Sequence, residues 1–356
     1  MGLRAETKNT VWRWSAVVLI AAAAALRAYA LTWGLPNQTH GYSYHPDEFL
    51  TVGAAFNVFS NATLDTHFYN YPTLYPYLCS FIQGISAATG MATEFGLYLA
   101  CRIMTLLMSV GAVAVCMFSI AKLYGRKAGL ICGAFLAFAA VHVQHSHFAT
   151  VDVPSTLFVA ACIVSALAFL KSCKIKWIIW AGVFAGFAAG TKYNAGLVVF
   201  AALITPFLYE QKTPVIKRIG QAATAGISTI VAFVISTPAC LLYSDEFMHG
   251  IDYELKHSAE GHGLVFAGTG PGILYAFHNL SWAIGIPMLI LFIAAVVYTL
   301  VAKRRDVLVP LAFLVPYFML MLMSQVRFVR YGIPLLPCIA IICGIAASSV
   351  FLQNKN

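Results

Sequence analysis

Eleven apolar runs, most of them about as long as a bilayer is thick, fill this chain and direct it toward one architecture, an all-α polytopic membrane bundle. They lie at about 11–33, 72–90, 97–120, 128–143, 153–170, 177–190, 194–209, 219–242, 277–301, 307–323 and 331–352. Inside a bilayer every backbone N–H and C=O needs an internal partner, and a helix supplies these along its own length. The 356 residues are 60% hydrophobic and 10% charged, with a mean hydropathy of +0.80, which excludes a soluble globule. No stretch between runs greatly exceeds the loop at about 243–276, so residues 1–356 read as a single integral membrane domain. The run at 11–33 is long for the core of a signal peptide and carries Arg13 and Arg27; it reads as a retained anchor helix.

The net charge of +9 does not indicate nucleic acid, because the basic residues sit in short clusters between apolar runs. These are Arg4/Lys8/Arg13, Lys122/Arg126/Lys127, Lys171/Lys174/Lys176, Lys212/Lys217/Arg218, Lys303/Arg304/Arg305 and Lys355. Placing all of them in the cytoplasm requires an even number of crossings between neighbours. Ten spanning helices satisfy this if the run at 72–90 lies in the interface instead of crossing. It is short, opens Pro72-Thr73-Leu74-Tyr75-Pro76 and carries Gly84 and Gly90. All ten histidines, which played no part in the assignment, then fall on or near the outer face. The expected location is a multi-pass membrane protein, in the plasma (inner) membrane if bacterial, with its active face outward. The nine cysteines show no CxxC spacing and read as small packing residues.

Where charge is this scarce, acids beside a membrane mouth are candidates for chemistry. The first outer loop, about 34–96, holds His45-Pro46-Asp47-Glu48 ahead of an amphipathic stretch with Phe49, Val52, Phe56 and Phe59 on one face. The second, about 142–153, ends in Asp152 with Pro154 just beyond. For both acidic sites the alternative is a helix cap. A tight turn carries Gly190-Thr191-Lys192, preceded by a Gly182/Gly186/Gly190 stripe that reads as helix packing. The large outer loop, about 243–276, contributes His257 and His262. Arg327 and Arg330, against the positive-inside trend, need anionic partners, either acids or a phosphate, whose oxygens Arg matches bidentately. His145-x-His147 is a weak metal signal without a third ligand.

Acids able to act as bases and cations able to hold phosphate on one membrane face fit glycosyl transfer from a lipid-phosphate sugar. In order, Asp47-Glu48, Tyr71-Pro72-Thr73-Leu74, Arg102, Thr150-Val151-Asp152-Val153-Pro154, Gly190-Thr191-Lys192 and Arg330-Tyr331-Gly332-Ile333-Pro334 resemble the GT-C glycosyltransferases of the protein O-mannosyltransferase and aminoarabinose transferase type, over about 40–340. The resemblance implies a GT-C fold, a polyprenyl- or dolichyl-phosphate sugar donor, a lipid, glycan or protein acceptor, and inversion at the sugar carbon. It makes Asp47 the base or acceptor-orienting acid and Glu48 and Asp152 supporting acids. Lys192, Arg327 and Arg330 become phosphate ligands; Arg102 and Tyr331, which lie in the matching motifs, and His45, His257 and His262, which lie in the outer loops, are read as further substrate contacts. Where some relatives carry acid-Lys-Pro, this chain has Asn70-Tyr71-Pro72, which weakens the transfer of a metal site; no cofactor is assigned, and a divalent metal stays open. The alternative function is a transporter or lipid flippase, which would favour pseudo-repeats and charges near the midplane.

Overall fold

The computed structural model describes residues 2–209, 213–268 and 272–353, with side chains from residue 9 to residue 350. Lys212 and Lys355, the side chains of Arg4 and Lys8, and residues 269–271 of the large loop lie outside what is described. The described chain is helical, without a named strand. In order the helices are α1 (Gly2–Ala28), α2 (Glu48–Asn61), α3 (Leu74–Ala88), α4 (Glu94–Tyr124), α5 (Arg126–Phe138), α6 (Ala140–His145), α7 (Asp152–Ser172) and α8 (Lys176–Thr191). There follow α9 (Val199–Leu208), α10 (Val215–Ser236), α11 (Ala239–Leu242), α12 (Ser244–Glu260), α13 (Gly272–Ile284), α14 (Ile286–Val301), α15 (Leu308–Met323) and α16 (Leu336–Gln353). Short 3₁₀ turns precede α9, α15 and α16.

Six described spans are long and apolar enough to cross a membrane: in α1, α4, α7, α10, α15 and α16. Counting α13 and α14 as one broken span makes seven, where the sequence reading expects ten. The differences have local causes. The run at 128–143 is broken at Ala139, which is extended between α5 and α6. Arg27 of α1 reaches that break and donates to the carbonyls of Leu136 and Ala137 (3.2 and 3.1 Å), which have lost their helical partners. The run at 194–209 begins as a 3₁₀ turn, leaving α9 ten residues long. The run at 277–301 bends by 112° at Gly285, whose positive φ (81°) ends α13 before α14 begins. α3, at 15 residues, is shorter than the roughly 20 a span needs.

The core sits around α7 and α16, each with 83% of its apolar stretch buried, while the stretches of α1 and α10 are 17% buried. The glycine stripe of α8 faces α10: Gly182, Gly186 and Gly190 lie against Ala225, Thr229 and Ser236 so closely that a Cβ would collide with their oxygens. Small residues let the two backbones meet, as they do between membrane helices. Seven of the nine cysteines are buried and all nine are unbridged.

The two ends of the bundle differ. α7 runs from Asp152 to Lys171, about 28 Å along its axis. At the Lys171 end, Arg304 pairs with Asp306 (2.6 Å), Lys171 approaches the same carboxylate at 4.0 Å, and both cations lie over the Tyr124 ring. The Asp152 end holds the start of α2, the chain before α3, the turn after α8, α12 and the segment before α16.

Candidate active site

Two cavities open at the Asp152 end of the bundle, of about 730 and 330 Å³. Asn70, Tyr71, Glu254, His257, Arg330 and Tyr331 line both. His45, Asp47, His145 and His262 line only the larger. Asp152, Lys192 and Asn194 line only the smaller, whose remaining wall is mostly apolar, with Ile251, Leu255 and Leu320.

The adjacent acids at the start of α2 go to different places, because neighbouring helical residues point about 100° apart. Asp47 stands at the cap position but makes no side-chain capping bond. Its Oδ2 accepts from Arg330 Nη1 (2.5 Å) and from the Tyr71 hydroxyl (3.1 Å), bringing together residues 283 and 24 positions apart. Glu48 turns inward and is fully buried. Both its oxygens accept from Arg102, Nε at 2.8 Å and Nη2 at 2.6 Å; Ala149 N–H (2.7 Å) and the Ser43 hydroxyl add two more donors. The remaining Arg102 nitrogen donates to the carbonyls of Leu31 and Trp33 (2.8 and 2.7 Å). Glu48 and Arg102 thus form a closed ion pair joining α2, α4, the turn after α1 and the loop before α7, and neither lines either of these two cavities.

Asp152 is likewise no cap: the cap position of α7 is Val151, without a side-chain bond. The Asp152 carboxylate pairs with Lys192 Nζ, both buried, and the ammonium also lies 4.8 Å over the Tyr331 ring. Arg330 reaches Asp47 through Nη1, while its buried Nε makes no hydrogen bond among the described residues. That leaves one buried nitrogen of a charged side chain without a described hydrogen-bond acceptor.

Burial disfavours the charged form of three histidines at the site, His45, His145 and His257. Burial, with the Arg330 charge beside it, pulls His45 below its ordinary value, and its Nδ1 accepts from the Asp47 backbone N–H (3.2 Å). Burial pushes His145 down to about 4, and burial with His262 alongside lowers His257. The His257 and His262 rings meet edge to face at 5.0 Å. Burial, reinforced by Asp47, raises the Tyr71 phenol, so it acts as a hydrogen-bond donor to that carboxylate. Arg327 is set apart: it touches neither large cavity, donates Nε to Ser324 O (3.2 Å) and lies 5.7 Å over the Tyr275 ring. Asp47 and Asp152 are each matched to a cation, and no group of three or more His, Cys, Asp or Glu among the described residues converges as metal ligands.

One residue at the site was not singled out by its place in the sequence. Glu254, on α12, lines both cavities, and burial pushes its carboxyl up to about 7. α12 is seated by Phe247, packed among Tyr69, Tyr193 and Phe233, and by Gly250, which lies directly on the backbone of Tyr69. Ile251, Glu254, Leu255 and Ser258, spaced i, i+3, i+4 and i+7, form its cavity face. That spacing is the signal that marks Glu254 off from Asp252, which pairs in solvent with Lys256 (2.6 Å).

Residues 74–239 match the family model described as dolichyl-phosphate-mannose-protein mannosyltransferase. Among solved structures the chain is similar to ArnT from Cupriavidus metallidurans bound to undecaprenyl phosphate, with TM-score 0.66 and 14% identity over 96% of this chain and 60% of that one. It is also similar to the oligosaccharyltransferase AglB from Archaeoglobus fulgidus in complex with an inhibitory peptide and a dolichol-phosphate, with TM-score 0.63 and 12% identity over 97% of this chain and 51% of that one. The chain therefore spans between half and three-fifths of the length of these structures. No curated protein matches its sequence. With the order of its motifs, the family-model match and these superpositions in agreement, the chain is a multi-pass membrane protein with the GT-C glycosyltransferase fold.

Proposed function

We propose that this protein is a glycosyltransferase that moves a sugar from a polyprenyl- or dolichyl-phosphate donor to an acceptor hydroxyl, with inversion, at the outer or lumenal membrane face. The observation that carries this reading is the junction of the two cavities, where a carboxylate held by Arg330 and Tyr71 faces the larger and the cations Arg330 and Lys192 face the smaller, apolar one. An apolar wall ending in two cations suits an isoprenoid carrier with a phosphate head. The polar, histidine-rich larger cavity suits the acceptor, of lipid, glycan or protein class.

Asp47 takes the proton of the acceptor hydroxyl. The hydroxyl oxygen attacks the anomeric carbon opposite the phosphate, the carbon–oxygen bond to phosphate breaks, and its electron pair stays on the departing phosphate. Arg330 and Lys192, which line the smaller cavity, stabilise that growing charge. A donor phosphate that draws Arg330 toward itself also loosens its hold on Asp47, so the base is released as the donor arrives. Asp152 holds Lys192 in place, Glu48 and Arg102 position Asp47, and His45, His257, His262 and Tyr331 shape the substrate walls. Arg327 serves as a support for the segment carrying Arg330.

The test is donor consumption by the purified protein given radiolabelled polyprenyl-phosphate hexoses. Wild type should consume at least one donor, and Asp47→Asn should do so about 10²–10⁴-fold more slowly, the usual span for a lost general base. Equal inactivity of both, with the labelled lipid crossing the bilayer in vesicles holding the wild type, would favour the transporter reading.

A further inference from the structure

Resting on the glycosyl-transfer reading, we infer that Glu254 is a specificity-determining residue that hydrogen-bonds the hydroxyls of the transferred sugar. The argument is one of position. If the phosphate sits with Arg330 and Lys192 and the acceptor with Asp47, the sugar lies between them, at the junction of the two cavities. Among the described residues, Glu254 is the carboxyl that lines both. It forms none of the described ion pairs and hydrogen bonds, whereas Asp47 and Asp152 are each held by a cation.

Its protonation state suits the task. The groups around it are Asp47 before α2, Tyr71 before α3, Lys192 and Tyr193 after α8, Arg330 and Tyr331 before α16, and His257 on its own helix. Burial raises its carboxyl to about 7, with Lys192 and Arg330 pulling down and Asp47 pushing up. An anionic donor bound alongside raises it further, so in the complex Glu254 carries its proton. A neutral carboxyl offers one O–H donor and one C=O acceptor, which match neighbouring hydroxyls on a sugar ring and do not repel the phosphate.

The experiment compares the affinities of wild type, Glu254→Gln and Glu254→Ala in nanodiscs for three probes: polyprenyl phosphate and its mannosyl and glucosyl esters. Wild type should bind at least one ester about tenfold more tightly than the bare lipid phosphate, the scale of a well-made hydrogen bond. Glu254→Ala should lose that gain while binding bare lipid phosphate as before. Glu254→Gln, which reproduces the donor and acceptor of the neutral acid, should keep it. As pH rises through the Glu254 value, wild-type affinity for the ester should fall and that of Glu254→Gln should stay level. A gain absent in wild type for every ester, unchanged in Glu254→Ala, or lost together with bare-phosphate binding would overturn the assignment, as would loss of the gain in Glu254→Gln. If wild type fails to bind polyprenyl phosphate at all, the glycosyl-transfer reading falls and takes this one with it.

Discussion

Asp47 and Glu48 are neighbours in the chain with separate environments, and their substitutions should separate in the same way. Glu48 is buried, accepts four hydrogen bonds and neutralises a buried Arg102, so Glu48→Ala strands a charge and should cost about 3–5 kcal/mol of stability, read as a lowered thermal unfolding midpoint in detergent. Asp47→Asn keeps a hydrogen-bonding side chain at a partly solvated wall, so it should unfold near the wild-type temperature while losing transfer. Equal destabilisation by the two would contradict the division into positioning pair and base. The sequence made the acids visible through the scarcity of charge around them, but which one faces the cavity depends on the rotation at the start of α2. Glu254 was harder to see. It lies in a helix with four other acids, Asp245, Glu246, Asp252 and Glu260, and becomes distinct through its place on the apolar face. The unmatched Nε of Arg330 has no sequence signature, since Asp47 lies 283 positions away.

The helices were legible as apolar periods, and their breaks only in part. Gly285 is an ordinary break signal, and its positive φ uncouples α13 from α14. Ala139 is not, because the groups that accommodate the break, the donors of Arg27, sit in α1 more than a hundred residues away. The glycine stripe of α8 was legible in both spacing and purpose. Gly186→Leu should push α8 from α10, lowering the unfolding midpoint, because its Cβ would collide with Thr229 O and Ala232. Gly53→Ala in α2, where a Cβ meets nothing within 4 Å, should leave the midpoint unchanged or raise it slightly, the helix gaining up to about 1 kcal/mol. A thermal shift of the same sign and size for both would remove the close-packing explanation of the stripe.

Across the whole bundle, the cavities lie at one end and the Lys171–Asp306–Arg304 cluster at the other, as the segregation of basic clusters from histidines led one to expect. Single cysteines at Asn61 and Lys256 should react with an impermeant maleimide added outside intact cells, above the level of the unaltered protein, while one at Lys127 should react only after permeabilisation. The reverse pattern would invert the membrane orientation. The order of motifs along the sequence was enough to bring the chain to the GT-C fold, while the span count was not, because several segments that a hydropathy count treats as crossings fold into helices of 16 residues or fewer. What the fold brings together, a carboxylate on one side of a junction and two cations on the other, is most directly tested by the stereochemistry of the transfer. With a polyprenyl-phosphate hexose labelled with ¹³C at the anomeric carbon and of known configuration, NMR of the product should show the opposite anomer, formed by wild type and about 10²–10⁴-fold more slowly by Asp47→Asn. A product of retained configuration, or equal rates from the two proteins, would contradict Asp47 as the base of a direct displacement.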